Sequence, residues 1–226
     1  MRMTSMRWRR RRPMYIPESF RVDDAKTVTA FMARYDFATL VTHSKDGSLL
    51  ASHVPVLVRE SEAGSVIVGH LARANPHWRF MNGDGNGESE SLAIFHGPHG
   101  YISPTGYVTS PAVPTWNYAV VHAHGKPRAR GDAEFIRGVV TELTERYESS
   151  REPRWDPAMV PAEFLDKLLG AIVGFEMPIV RLEAKFKLGQ NRSAGDRNGS
   201  ITSLEQDQAP AARELAEFMK VYGGGV

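Results

Sequence analysis

Apolar residues recur along this chain at two spacings, and the first of them predicts strands. Seven runs rich in β-branched or alternating apolar residues are separated by turn residues: 37–42, 49–58, 66–70, 91–96, 101–103, 115–130 and 174–186. The last run is expected to bend at Pro178. Consecutive strands joined by short turns form antiparallel meanders. The pattern therefore predicts an α+β, mainly β protein, a small antiparallel barrel with added helices.

The second spacing, of three and four positions, is typical of amphipathic helices. The predicted helical faces are Val28, Phe31, Met32 and Tyr35; Phe135, Ile136, Val139, Val140 and Leu143; and Phe164, Leu165, Leu168 and Leu169. Asp23 or Asp24 is expected to cap the first helix and Asp132 the second, while Pro161 begins the third. A last helix is predicted over 210–222, and a short one after the polar loop at 187–192.

Composition narrows the class of protein. Hydrophobic residues make up 42% of the 226 positions, which is enough for a packed core. The chain has no cysteine, which excludes disulfides, thiolate metal ligands and thiol catalysis. No apolar run reaches the roughly 18 residues of a spanning helix, and no signal core follows the N-terminus. We therefore expect a cytoplasmic protein without a membrane partner.

Charge is divided unevenly along the chain. Six of the 28 basic residues, and none of the 26 acidic ones, lie in the first twelve positions, so the remainder is net acidic, 22 against 26. Residues 1–13 are interpreted as a disordered basic extension. Any general attraction of the folded body to nucleic acid would require a local basic patch.

Eight histidines raise the question of a metal site. His122 and His124 lie two apart on a predicted strand and therefore share a face, and His96 and His99 flank a turn. No His-Glu-x-x-His motif and no nearby carboxylate at ligand spacing accompanies them. The sequence thus predicts no metal site. It also identifies no catalytic residue, since a Gly-x-Ser-x-Gly elbow is absent.

The stretch 66–80 joins a strand to a short helix through a basic turn. His70 and Arg73 precede Asn75, a good N-cap, and Pro76, which fits the first helical position. Free N–H groups at a helix start and a guanidinium together suit a phosphate. The alternative is an ordinary basic surface turn, and local sequence leaves both interpretations open.

A second segment, 114–118, combines aromatic and polar residues. Strand alternation puts Trp116 and Tyr118 on one face and Thr115 and Asn117 on the other. A planar ligand stacked on the indole is one interpretation, and an aromatic core face is the other.

Eight segments in order resemble the PaiB family of FMN-binding negative transcriptional regulators: Met14–Pro17, Phe37–Val41, Gly69–Pro76, Gly97–His99, Tyr101–Pro104, Val113–Tyr118, Ile172–Glu176 and Lys187–Arg192. The resemblance implies an FMN-binding split β-barrel over 14–204, followed by a C-terminal helix and tail at 205–226. It also implies a homodimer with the flavin at the subunit interface.

The resemblance further implies which residues bind FMN. Arg73 is the leading phosphate ligand, within a turn that includes His70 and Asn75, and His53 is a weaker candidate on the preceding strand. Trp116 and Asn117 would line the flavin ring or the dimer interface, while Lys187 and Gln190 would close the site from the same chain or the partner.

Three functions remain open. The first is negative transcriptional regulation, although no helix-turn-helix with a basic recognition helix is recognisable, so DNA as a partner lacks a motif. The second is an FMN-dependent oxidoreductase or flavin reductase without direct DNA binding. The third is haem binding or degradation, with His96, His99, His122 or His124 as axial ligand.

Overall fold

The computed structural model describes residues 13–44, 47–60, 64–81 and 90–224. The basic N-terminus and the turns predicted around positions 45, 62 and 85 lie largely outside these residues. The described part of the chain contains seven strands: β1 (Phe37–His43), β2 (Leu49–Arg59), β3 (Val66–Ala72), β4 (Ser91–Ile102), β5 (Thr115–Gly125), β6 (Arg128–Arg130) and β7 (Ile172–Lys187). The same described residues form five α-helices: α1 (Ala25–Arg34), α2 (Ala133–Glu148), α3 (Ala162–Gly170), α4 (Ala194–Gln206) and α5 (Pro210–Tyr222).

The strands close on themselves to form a barrel. Their order is β3-β2-β1-β4-β5-β7-β6, the pairings between these described strands are antiparallel, and β3 also pairs with β7. The long strand β7 makes closure feasible, because its first half pairs with β3 and β6 and its second half with β5. The register between β5 and β7 shifts near Gly125 and Ile179, next to the predicted bend at Pro178. The expected mainly antiparallel barrel with added helices is confirmed.

Two strand predictions were wrong. The segments predicted at 91–96 and 101–103 form one strand, β4, which passes through Gly97 and Pro98 with a register shift between His96 and His99. A β-bulge accommodates the one extra residue of β4 without ending the strand. Conversely, the single strand predicted at 115–130 divides after Gly125 into β5 and β6, because the chain leaves β5 there to pair with the other half of β7.

The helices form where the apolar spacing predicts them. Asp24 caps α1 through a bond from Thr27 N, and Asp132 caps α2 through a bond from Phe135 N. Helices α1 and α5 pack inside the main core with the inward side chains of the barrel, whereas α2 packs on a second cluster at β2 and β3. Helix α3 has no buried residue, and its Phe164 and Leu168 are exposed. Within the described residues, no helix is both long and apolar enough to cross a membrane.

Candidate functional site

The basic turn after β3 is tied to the start of β7. The backbone N–H of Arg73 donates to Ala171 O at 2.8 Å. The guanidinium donates from Nε to Gly170 O at 2.8 Å and from Nη2 to Ile172 O at 2.9 Å. Arg73 thus bonds the carbonyl groups that lead from the end of α3 into β7, and part of its donor capacity is used within the chain.

Asn75 caps the short helix that follows, as its position predicts. Its Oδ1 accepts from His77 N at 3.0 Å, while its Nδ2 donates to Ser52 Oγ at 3.0 Å. The side chain therefore points back to β2 and holds the turn against the barrel. Both of its polar atoms serve the fold of this chain.

Behind Asn75 lies a buried polar network that sequence reasoning missed. The His77 ring is bonded on both sides, Nδ1 to Ser52 Oγ at 2.8 Å and Nε2 to Thr42 Oγ1 at 2.8 Å. Thr42 Oγ1 in turn lies 2.6 Å from Ser91 Oγ. One feature of the sequence could have predicted this network. Thr42, Ser52 and Ser91 are polar, although strand alternation puts them at inward-facing positions that are usually apolar.

His70 and His53 are in different surroundings. His70 of β3 is directly opposite Gly174 of β7, so the two residues share a face of the sheet. A Cβ added to Gly174 would meet the ring of Phe135 in α2. His70 therefore lies on the barrel face that α2 covers. Among the described residues, Nδ1 of His70 is buried and finds no hydrogen-bond partner, and burial lowers the pKa of this histidine. His53 is exposed on β2, with Nδ1 3.0 Å from Thr39 Oγ1, at a cleft of about 580 Å³.

Trp116 and Asn117 face opposite ways. Trp116 is 54% exposed on the outer face of the sheet, where it stacks against His99 and meets the edge of Tyr101. Asn117 is buried on the inner face, and its Nδ2 lies 3.5 Å from Met219 Sδ. The indole is therefore available to a ligand, while the amide is part of the core of this chain.

Beside Trp116, the end of β7 brings cations together. Lys187 Nζ donates to Thr115 Oγ1 at 2.6 Å and to the carbonyl oxygen of Trp116. Lys185, only 6% exposed, donates to Tyr15 O at 3.0 Å and lies over the rings of Tyr15 and Tyr118. Burial lowers the pKa of Lys187, and the charges of Lys185 and Arg192 lower it further. We call Lys185, Lys187 and Arg192 the cationic corner.

The cationic corner has the chemistry of an anion site. Among the described residues, none of its three cations has an acidic partner within ion-pair distance. A phosphate would relieve their mutual repulsion. The exposed indole of Trp116 supplies a flat apolar surface next to them. The residues present therefore fit a molecule that joins a phosphate to a planar ring, as FMN does.

Gln190 closes the turn that follows β7. Its Oε1 accepts from Leu188 N at 2.8 Å and its Nε2 donates to Phe186 O at 2.7 Å. Gly189 adopts φ +85 in this turn, a conformation that side chains disfavour. Gln190 thus shapes the turn next to the cationic corner. The structure brings Trp116, Lys187 and Gln190 into one region, whereas Arg73 and His70 lie near the other end of β7, at its pairing with β3.

Comparison with known proteins identifies the family. A family model described as "Putative FMN-binding domain" matches residues 14–181. The protein "Protease synthase and sporulation protein PAI 2" of Bacillus subtilis is 34% identical over 92% of this chain and 97% of its own length. An uncharacterised protein of Emericella nidulans is 31% identical over 76% of this chain and 82% of its own.

Two solved structures show the same fold at low identity. The flavocytochrome Anf3 from Azotobacter vinelandii has a TM-score of 0.55 and 15% identity, over 74% of this chain and 68% of its own. The FAD and haem binding protein from Mycobacterium smegmatis has a TM-score of 0.52 and 14% identity, over 75% of this chain and 74% of its own. Together with the closed antiparallel barrel, the comparisons show that the chain belongs to the PaiB family of FMN-binding split-barrel proteins.

Proposed function

We propose that the flavin of this protein is FMN and that its phosphate binds at the cationic corner, with Lys187 as the leading ligand. The observation that carries this proposal is the absence of an acidic partner within ion-pair distance of Lys185, Lys187 and Arg192 in the described part of the chain. Lys187 is also positioned by Thr115 rather than left free in solvent. The flavin ring would then lie against Trp116.

The proposed site is shared between two copies of the chain. Within one chain, the predicted phosphate ligands Arg73 and Lys187 lie apart. Arg73 is at the end of the barrel where β3 pairs with β7, and Lys187 is where β5 pairs with β7. In a homodimer, the turn that carries Arg73 in one chain and the cationic corner of the other contribute to one FMN. Arg73 stays a predicted phosphate ligand, since Nη1 is not used in its bonds to Gly170 and Ile172.

Bound FMN supplies hydride and electron transfer, and the chain supplies binding and orientation. Lys187 and its neighbours neutralise the phosphate, and the indole of Trp116 excludes water from one side of the ring. No side chain is assigned to move a proton during a reaction.

For the biological role, we propose negative regulation of transcription, as in the PaiB family. Support comes from 34% identity with a relative whose name places it in protease synthesis and sporulation. The described body offers no basic recognition helix, so regulation through another component is compatible with the same proposal. A gel shift at moderate salt with promoter DNA tests direct binding. A shift no stronger than that of random DNA would exclude direct repression.

The second candidate is an FMN-dependent oxidoreductase or flavin reductase. The net acidic body favours it, since negative charge repels DNA, and the exposed indole of Trp116 offers a flat surface for the flavin ring. Anaerobic mixing with NADH or NADPH should bleach the flavin absorption if this candidate is correct. Flavin that stays oxidised with both nicotinamides would argue against it.

The visible spectrum of freshly purified protein, before and after acid release, tests the cofactor. We expect flavin bands and FMN in the supernatant. A Soret band would instead support the haem alternative, and a colourless protein that does not bind added FMN would overturn the FMN proposal.

Substitution of Lys187 tests the ligand assignment. We expect Lys187→Ala to weaken FMN binding at least about tenfold, because the phosphate loses a partly buried cation. Titration followed by flavin fluorescence measures the change. Lys220→Ala is the matched control, since Lys220 is already paired with Glu205 and Glu217 on the surface. Equal affinity of both variants for FMN would place the phosphate elsewhere.

A further inference from the structure

The outer face of the sheet brings two histidines and a carboxylate together, at some distance along β5 from Trp116. His122 of β5 is directly opposite Glu183 of β7, and His124 lies two residues further along β5 on the same face. His124 Nε2 is 2.9 Å from Glu183 Oε2. One ligand atom from each of the three side chains lies within 4.8 Å of the others.

The carboxylate is held so that one oxygen faces the imidazoles. Its Oε1 accepts from the backbone N–H of Met14 at 3.1 Å and lies within ion-pair distance of Arg181 Nη1. Oε2 is left to His124. The side chains of His124 and Glu183 are 15% and 10% exposed, so the cluster is largely withdrawn from solvent. Two adjacent, hydrogen-bonded strands give it a rigid base.

The donor groups suit a cation. Two imidazoles and one carboxylate come from paired positions of two adjacent strands, and their ligand atoms lie within reach of one ion. The backbone N–H of Met14 and the guanidinium of Arg181 engage Oε1 of Glu183, so Oε2 is turned toward the imidazoles. The cluster therefore offers two nitrogen donors and one oxygen donor.

We propose that His122, His124 and Glu183 bind a divalent transition-metal ion of the zinc class. Two imidazoles and one carboxylate are a donor set of such ions, and three protein ligands leave a fourth position for water. Bonds of about 2.0–2.2 Å in a tetrahedral site place ligand atoms on the order of 3.4 Å apart. The ligand atoms already lie within 4.8 Å of one another, so the imidazoles and the carboxylate need only adjust locally to reach that value.

The surroundings determine which ions bind. The ion takes the place of the hydrogen bond between His124 and Glu183, and Arg181 remains on Oε1 as an outer partner that orients the carboxylate. The positive charge of Arg181 opposes a second cation, so the site holds one ion. Mg²⁺ and Ca²⁺, which prefer all-oxygen coordination, are not expected to bind.

The test uses full-length, tag-free protein that has been treated with a chelator and dialysed. Isothermal titration with Zn²⁺ should give one site per chain. Added Co²⁺ should give the visible absorption bands that are typical of four-coordinate cobalt. Zn²⁺ should displace the cobalt and remove these bands, whereas Mg²⁺ should not. His122→Gln and Glu183→Gln should each weaken Zn²⁺ binding at least about tenfold.

His99→Gln is the matched control, because His99 lies on the same outer face but stacks on Trp116. It should bind Zn²⁺ like the unaltered protein. Glu183→Gln also disturbs the bonds to Arg181 and Met14, so His122→Gln, confirmed as folded by circular dichroism, is the deciding variant. Absence of cobalt bands, unchanged Zn²⁺ affinity in His122→Gln, or an equal loss in His99→Gln would overturn the proposal.

Discussion

His77 is a polar side chain enclosed in the core, with both ring nitrogens bonded to hydroxyl groups. It is 1% exposed, and its partners Ser52 and Thr42 are also buried. Such a network costs little as long as every member is satisfied, and it fixes one arrangement of the strands that carry it. Through Asn75, the same network positions the basic turn after β3.

The buried histidines predict that acid destabilises the protein. Burial lowers the pKa of His70 and of His77 below the ordinary value of 6.5. Below pH 6.5 these histidines therefore bind protons in the unfolded chain but stay neutral in the folded chain. The contribution of these neutral histidines to the free energy of unfolding is therefore fully present above pH 6.5, and it is lost as the pH falls below that value. Urea unfolding at about pH 7.5 and 5.5 should show this, with at most about 1.4 kcal/mol per pH unit from each group.

His77→Gln supplies the comparison for this prediction. It should be less stable than the unaltered protein at neutral pH, because hydrogen bonds are lost, but its unfolding free energy should depend less steeply on pH. Identical pH slopes in the two proteins would remove His77 as a cause.

Arg73 combines a structural contact with a predicted ligand role, and one substitution separates them. Arg73→Ala removes the bonds to Gly170 and Ile172 and should lower the free energy of unfolding by about 1 kcal/mol, a modest value because the side chain is exposed. If Arg73 also binds phosphate, FMN affinity should fall at least about tenfold.

Arg79→Ala is the control for this substitution, since Arg79 is exposed nearby and contacts the Trp78 ring. Unfolding curves and FMN titration are measured on both variants. A loss of stability without a loss of FMN affinity would limit Arg73 to the fold.

At the scale of elements, α4 is fixed by backbone contact with the short turn Pro104–Gly106. An added Cβ on Gly199 of α4 would lie 1.7 Å from Gly106 O, so only glycine permits this approach. Asp196 in the first turn of the same helix accepts from Val108 N at 2.9 Å and Thr109 N at 3.0 Å. The loop before β5 and the helix after the cationic corner therefore support each other.

Alanine substitution is expected to have opposite effects on stability at two glycines inside helices. Gly199→Ala should destabilise the protein by about 3 kcal/mol or more, because the helix must move off the turn. Gly138→Ala in α2, where an added Cβ meets nothing within 4 Å, should stabilise it by roughly 0.5–1 kcal/mol. Thermal or urea unfolding of both variants measures the difference. A neutral Gly199→Ala would contradict the close packing.

At the scale of the whole molecule, the outer face of β1, β4 and β5 is partly exposed and carries apolar side chains between its histidines. Val41 pairs with Leu92, and Val120 pairs with His96, all on outward positions that are only half-buried or exposed. The inner face is filled by α1 and α5 instead. A sheet face of this kind fits burial against a second copy, as the proposed dimer requires.

Placing a charge at the centre of this face tests the dimer. Ile94, outward and half-buried on β4, is replaced by aspartate, and light scattering after gel filtration gives the mass. We expect the unaltered protein at twice the 25.1 kDa of one chain and Ile94→Asp at the single mass.

Val221→Asp is the control, on the outer side of α5, where the side chain is 70% exposed. It should keep the mass of the unaltered protein. Circular dichroism establishes that Ile94→Asp is folded, and Val120→Glu serves as a second variant on the same face. Folded variants of the full dimer mass would show that the interface is elsewhere.

Most elements of the fold follow from local pattern. The faces of α1 and α2, the caps at Asp24 and Asp132, and the alternation in β1 are set by residues within a few positions of each other. The errors at β4 and at the end of β5 have a common cause. Whether Gly97 and Pro98 interrupt a strand, or whether a strand continues past Gly125, depends on which partner strand lies alongside.

The sequence by itself determined the residue types that a flavin site needs and the family that carries them. Only the tertiary structure decided which of them meet. It buried Asn117 behind Trp116, bound the guanidinium of Arg73 to backbone carbonyls, and placed Thr115 beside Lys187. It also set Glu183 against two histidines some sixty positions earlier in the chain. Local patterns extend over a few residues, whereas these contacts depend on strand register, which is fixed when the barrel closes.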